Sequence, residues 1–183
     1  MMKFAGFFRN VNLGQPKSPT RSQLESAYLQ AGAGMAASVM SNGTLVFSAP
    51  DKPGALRVAD RACETLRQVC GLREPVFVRN LGYLAALAGE DPFADFGAPA
   101  ITERCISFFD IDAATHVELP LESKRKDCLV FRLGDGVALS ITREINGKAG
   151  YPTPLLEKTL NVPVTTRGWA TLLRVLDKHW QEP

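Results

Sequence analysis

Met35-Ala36-Ala37-Ser38-Val39-Met40-Ser41-Asn42-Gly43-Thr44-Leu45-Val46-Phe47-Ser48 sets two short apolar runs around Asn42-Gly43, and its reading decides how the first half of the chain folds. Asn-Gly between apolar runs is the strongest short hairpin signal, because both residues accept the positive backbone dihedrals of a tight turn. The stretch therefore reads as one antiparallel pair. Upstream, residues 3–9 are rich in Phe and read as a buried strand. Ser18-Pro19-Thr20 then opens a helix in which Leu24, Ala27, Tyr28 and Ala31 recur at helical spacing until Gly32 and Gly34 close it. Downstream, Leu56, Ala59, Cys63, Leu66 and Cys70 line one face of a helix over residues 53–70. Arg57, Asp60, Arg61, Glu64 and Arg67 cover its other face, and Gly71 is its stop. Residues 75–79 supply a further short strand. The order strand, helix, strand, strand, helix, strand is the ferredoxin-like pattern, a four-stranded antiparallel sheet with two helices on one face.

The second half predicts a less regular α+β layer. A short helix over 81–88 ends before Asp91-Pro92. Strands follow over 101–109, 127–133 and 137–142, the last two joined by Gly134-Asp135-Gly136. Two helices close the chain, over 154–160 and 169–180, the second with an apolar stripe of Trp169, Leu172, Leu173, Leu176 and Trp180. The expected division is an N-terminal ferredoxin-like subdomain over 1–80 and a C-terminal α+β subdomain over 81–183.

Composition bounds the function classes. The 183 residues are 45% hydrophobic and 22% charged, the balance of a soluble globular protein rather than a disordered one. No apolar run approaches the roughly 20 residues a membrane-spanning helix needs, and the Phe4–Phe8 run is too short for a signal peptide. A cytoplasmic protein without a membrane partner is expected. Cys63 and Cys70 lie two helical turns apart, which sets their thiols about 10 Å apart, beyond disulfide reach. Four reduced cysteines are the expectation. The net charge of +2 is spread as 10 Lys and Arg against 7 Asp and Glu over residues 1–91, and 11 against 12 over 92–183. That balance does not demand a nucleic-acid partner.

The candidate site lies where the first strand ends in Arg9-Asn10-Val11-Asn12-Leu13-Gly14. In a ferredoxin-like sheet the loop after the first strand and the hairpin between the second and third emerge at one end. Arg9, Asn10 and Asn12 then come near Ser41, Asn42 and Thr44. Gly14 allows close backbone approach just before a helix N-terminus. Arg grips a carboxylate or phosphate at two points, and unpaired N–H groups at a helix start favour an anion. On the alternative reading Asn10 and Asn12 satisfy loop backbone groups and Arg9 is an exposed strand-end charge. Arg167, at the expected start of the last helix, opposes the helix dipole and needs a compensating anion, either a ligand or a carboxylate such as Glu157.

Three segments, Phe4 to Gly14, Ser41 to Phe47 and Thr165 to Trp169, resemble in order and spacing the bacterial family known as domain of unknown function 1697. Its members read roughly as a Leu-Arg-Gly-Ile-Asn-Val-Gly-Gly start, a Gln-Ser-Gly-Asn-Val-Val-Phe hairpin and a Thr-Arg-Asn-Trp-Asn-Thr end. Arg9, Asn12, Gly14, Gly43, Thr166, Arg167, Trp169 and Thr171 match that pattern. Asn10, Gln15, Ser41, Asn42, Thr44, Gly168 and Ala170 depart from it. The resemblance implies no activity, since the family carries none in its name.

Catalytic constellations are thin. His116 and His179 are the two histidines and lack the spaced partners of a metal site. No Gly-x-Ser-x-Gly elbow, phosphate loop with Lys or His-Glu-x-x-His pattern occurs. Asp110 and Asp112 alternate near a strand end, which reads as a solvated pair more readily than as an acid–base pair. Lys124-Arg125-Lys126 reads as an exposed basic loop, and Trp169 and Trp180 as core anchors. The sequence thus points to a binding protein without a cofactor, taking a small anionic ligand or a nucleic-acid phosphate. An enzyme working through Arg and Asn electrostatics, and an interaction module whose polar loops cap the fold, are the alternatives. Oligomeric state is not written in these residues.

Overall fold

The computed structural model describes residues 1–97, 101–110 and 117–181. Asp112 and His116 lie outside these residues. The chain forms two compact units, one of residues 1–87 with 175–183, the other of 88–174.

In the first unit β1 (Met2–Phe8) leads through a loop to α1 (Arg21–Gln30), then to β2 (Ala36–Met40), β3 (Thr44–Ala49), α2 (Lys52–Cys70), β4 (Val76–Asn80) and α3 (Leu81–Gly89). The strands order as β2-β3-β1-β4, and every neighbouring pair is antiparallel. Capping chemistry sets the helix limits. Thr20 and Gln23 form a reciprocal capping box at the start of α1. The Asp51 side chain accepts from the Gly54 N–H at 2.6 Å at the start of α2, and Gly71 ends that helix in the left-handed conformation.

The core under α1 and α2 is built from Phe4, Phe8, Tyr28, Phe47, Leu45 and Leu66, all buried. The Tyr28 and Phe47 rings pack at a 58° tilt with centroids 4.9 Å apart. Burying each such ring contributes about 1.5–3 kcal/mol. Gly6 makes room for this arrangement, since a Cβ there would lie 3.2 Å from Val76 Cγ2 and 3.4 Å from the Tyr28 hydroxyl oxygen. The buried stripe of α2 is rotated from the one expected. Ala55, Val58, Ala59, Ala62 and Leu66 are buried, whereas Leu56 is 45% exposed.

The β2–β3 connection corrects the turn assignment. Ser41, Asn42 and Gly43 form a three-residue loop in which only Gly43, at φ +71°, takes a positive dihedral, and the register shifts between Ser38 and Met40. Such three-residue loops pair an ordinary turn with a left-handed residue next to the strand, so a positive φ is needed at Gly43 and not at Asn42.

In the second unit β5 (Glu103–Phe108), β6 (Leu121–Glu122), β7 (Cys128–Gly134), β8 (Val137–Thr142), β9 (Glu144–Ile145) and β10 (Lys148–Ala149) precede α4 (Pro152–Leu160) and β11 (Thr165–Gly168). The larger sheet runs β11-β5-β8-β7-β6, and β9 pairs with β10. Asp135 and Gly136, both at positive φ, turn β7 into β8. Leu156 and Leu160 of α4 pack with Phe109, Val130 and Ala138. β11 was not foreseen, and it places Arg167 on a strand rather than at a helix start. The Thr166 hydroxyl lies 2.7 Å from that of Ser107 on β5 and 2.7 Å from that of Thr153 on α4. The final helix, α5 (Trp169–His179), begins in the second unit and ends in the first. It buries Leu172, Val175 and Leu176, while Leu173 is 45% exposed, which again corrects the expected stripe.

Candidate functional site

Backbone hydrogen bonds bring the sequence-predicted loop and hairpin together at one end of the first sheet. Phe8 N–H donates to the Gly43 carbonyl at 2.9 Å, and Leu13 N–H to that of Ser41 at 2.7 Å. On the other side Arg9 N–H donates to the Pro75 carbonyl at 3.0 Å, which adds the segment before β4. Val11 is buried between them and sits against Gly43.

The side chains at this end are organised around a residue that sequence reasoning missed. Glu74 accepts from Arg9 Nη1 at 2.8 Å through one oxygen and from Asn10 Nδ2 at 3.3 Å through the other. Asn10 reaches it from the left-handed conformation, φ 51°, which Asn tolerates better than most residues. The Arg9 side chain is 26% exposed and that of Glu74 33%. Nothing in the local sequence marks Glu74, because the contact spans 65 positions.

The other predicted residues hold the loops in shape. Thr44 is fully buried, and its hydroxyl donates to Asn42 Oδ1 at 2.8 Å. Ser41 is exposed and contributes its carbonyl. The Asn12 N–H donates to the Ser18 hydroxyl at 3.3 Å, and its carbonyl accepts from Gln15 N–H. Gly14 has φ +82°, and its N–H donates to the Pro19 carbonyl. The helix start behind Gly14 is not an open cradle of N–H groups, because α1 begins only at Arg21 and is closed by its Thr20–Gln23 box. Lys17 and Arg73 are exposed near these segments in sequence. Residues 1–87 carry 10 Lys and Arg against 5 Asp and Glu, so this part of the chain is positive beyond the Arg9–Glu74 pair.

Arg167 belongs to the second unit. It is 7% exposed, and its Nη1 donates to the Thr165 hydroxyl at 2.8 Å and to the Thr166 carbonyl at 2.9 Å. Burial pulls its pKa down to about 10, with Tyr151 acting in the opposite sense. It remains a cation at neutral pH. Glu157, the carboxylate considered for it, accepts from the Val164 N–H at 3.0 Å. His179 is part-buried, its carbonyl accepts from Lys3 Nζ at 2.7 Å, and burial lowers its pKa from the ordinary value. Among the described residues no group of three or more His, Cys, Asp or Glu is placed to hold a metal ion. Lys124 and Lys126 are exposed, and Arg125 pairs with Asp127 at 3.2 Å. No helix among the described residues is long and apolar enough to cross a membrane.

The fold is similar to that of a conserved bacterial protein from Streptococcus pneumoniae, with a TM-score of 0.62 at 16% identity over 95% of this chain and 96% of that one. At that identity the likeness shows the fold alone. No curated protein matches the sequence. The family comparison covers residues 1–139, which include every candidate residue of the first unit and leave Arg167 outside. Over that span the sequence matches the family described as protein of unknown function DUF1697, and the chain belongs to it.

Proposed function

We propose that this chain is a cytoplasmic binding protein whose first unit takes a small anionic ligand where loop 9–14 meets hairpin 41–44. The observation that carries the reading is the partly exposed Arg9 side chain, held at the sheet end by Glu74 with Asn10 beside it. A phosphate or carboxylate arriving there exchanges one anionic partner of Arg9 for another, so Arg9 need not lose an ion pair on binding. The surplus of cations over residues 1–87 favours that exchange. The strand order β2-β3-β1-β4 supports a ferredoxin-like reading of this unit, in which the loop after β1 and the β2–β3 hairpin share an end. Four free cysteines accord with a reducing compartment.

A second reading has its own observation. Glu74 already occupies Arg9 and Asn10, and Thr20 is spent on its own helix, as in an interaction module whose polar loops only cap the fold. Arg9→Ala separates the two. A thermal-shift screen with inorganic phosphate, nucleotides, sugar phosphates and short oligonucleotides is expected to find a stabilising anion for the wild type. Arg9→Ala abolishes that response while the free protein melts nearly unchanged, because a half-exposed ion pair contributes about 0–1 kcal/mol. Loss of stability with the ligand response intact leaves the capping role as the better account.

A further inference from the structure

Three sheet edges, in both units, carry the same device. In β1–β4 the Arg9 to Pro75 hydrogen bond fixes which residues form the ladder, and Val78, opposite Gly6, turns its N–H and C=O outward. In β2–β3 the Ser48 to Met35 bond does the same and turns Ser38 outward. In the second sheet the Phe109 to Gly136 bond assigns odd residues of β5 to β8 and even ones to β11, so Thr166 is the outward residue of β11.

Each of these outward carbonyls receives an arginine. Arg79 Nη1 donates to Val78 O at 2.8 Å, Arg167 Nη1 to Thr166 O at 2.9 Å, and Arg21 Nη1 to Ser38 O at 2.8 Å. On β2 the outward N–H is taken as well, donated to Glu25 Oε1 at 2.8 Å. Arg21 and Glu25 sit one turn apart on α1 and pair at 3.9 Å, so together they present a donor and an acceptor as a neighbouring strand would. The remaining edge of the larger sheet, β6, is two residues long. Short strands and charged groups are ways in which sheets avoid edge-to-edge pairing.

We infer that Arg21 with Glu25, Arg79 and Arg167 keep the two sheets closed to strand addition, and that the occupant they exclude is a second copy of this chain. An incoming strand needs the Ser38, Val78 and Thr166 carbonyls as acceptors, and must strip a guanidinium from each before it gains a hydrogen bond. β2 is the most exposed to this failure, because its residues Ala36-Ala37-Ser38-Val39-Met40 carry no charge of their own.

The test is sedimentation velocity of the Arg21→Ala/Glu25→Ala variant across the micromolar range, with circular dichroism to establish the fold. The expected result is a folded variant whose mass rises with concentration above that of the wild type. Amide exchange at Ser38 slows in the associated form. Arg57→Ala/Arg61→Ala, which removes exposed charge from α2 without touching an edge, sediments as the wild type. A folded double variant that sediments as the wild type overturns the inference, and so does equal association of the α2 control. Should the double variant fail to fold, Glu25→Ala alone and Arg79→Ala at the opposite edge give the same reading. Wild-type behaviour in both folded variants overturns it.

Discussion

A Cβ placed on Gly43 would lie 2.8 Å from the Cβ of Val11, closer than carbon atoms can pack. Gly43 also has φ +71°, where a β-branched residue is strained. Gly43→Val therefore combines backbone strain with overpacking and is expected to cost about 2–5 kcal/mol. Gly14→Ala serves as the reference: φ is similar at +82°, but the space around it is open, so the loss there is about 1 kcal/mol. Urea denaturation of both variants gives the comparison. Equal midpoints would remove the Val11 contact from the account.

Glu74 competes with any anion for Arg9. Glu74→Gln keeps the side-chain size and removes the carboxylate charge, so phosphate or nucleotide affinity is expected to rise about 2–5-fold, the equivalent of an exposed ion pair worth up to about 1 kcal/mol. Calorimetric titration of wild type, Glu74→Gln and Arg9→Ala/Glu74→Gln measures this. Unchanged affinity in the first variant would mean that Arg9 does not meet the ligand.

The thiols supply a prediction with a pH sign. Burial pushes Cys63 up to about 11, Cys105 to about 12 and Cys128 to about 11, with Asp60, Glu103 and Asp127 adding to the respective shifts. Folding thus holds the proton on these sulfurs. Their contribution to stability is full below pH 9 and is lost as pH rises toward about 11–12. At pH 8 the folded protein should therefore react slowly with a thiol reagent at these three positions and promptly once unfolded. Mass spectrometry after timed alkylation reads both states, and should find no intramolecular disulfide among the four free cysteines. Rapid labelling of Cys105 in the folded protein would contradict its burial.

The legible parts of this fold are those whose signals are local. Thr20 and Gly71 announce helix ends because a capping hydroxyl and a left-handed glycine act within one turn of their own position. Gly43 announces the hairpin for the same reason. Glu74 and β11 were not legible. The first gains its meaning from Arg9, 65 positions away, and the second, Thr165-Thr166-Arg167-Gly168, has no apolar alternation and becomes a buried strand only by pairing with β5. Hydropathy favours leucine over alanine, whereas burial on a helix follows position on its face, and the buried face of α2 carries Ala55 and Ala62 while Leu56 stays exposed.

The Thr166 hydroxyl has one proton and two hydroxyl neighbours, Ser107 on β5 and Thr153 on α4. It cannot donate to both, so at least one neighbour must point its own proton back at Thr166. The hydroxyl rotors of two strands and a helix are thereby coupled, and turning any one of them constrains the others. Three elements share a single orientational choice, and a change at Thr166 would release that choice on both sides at once.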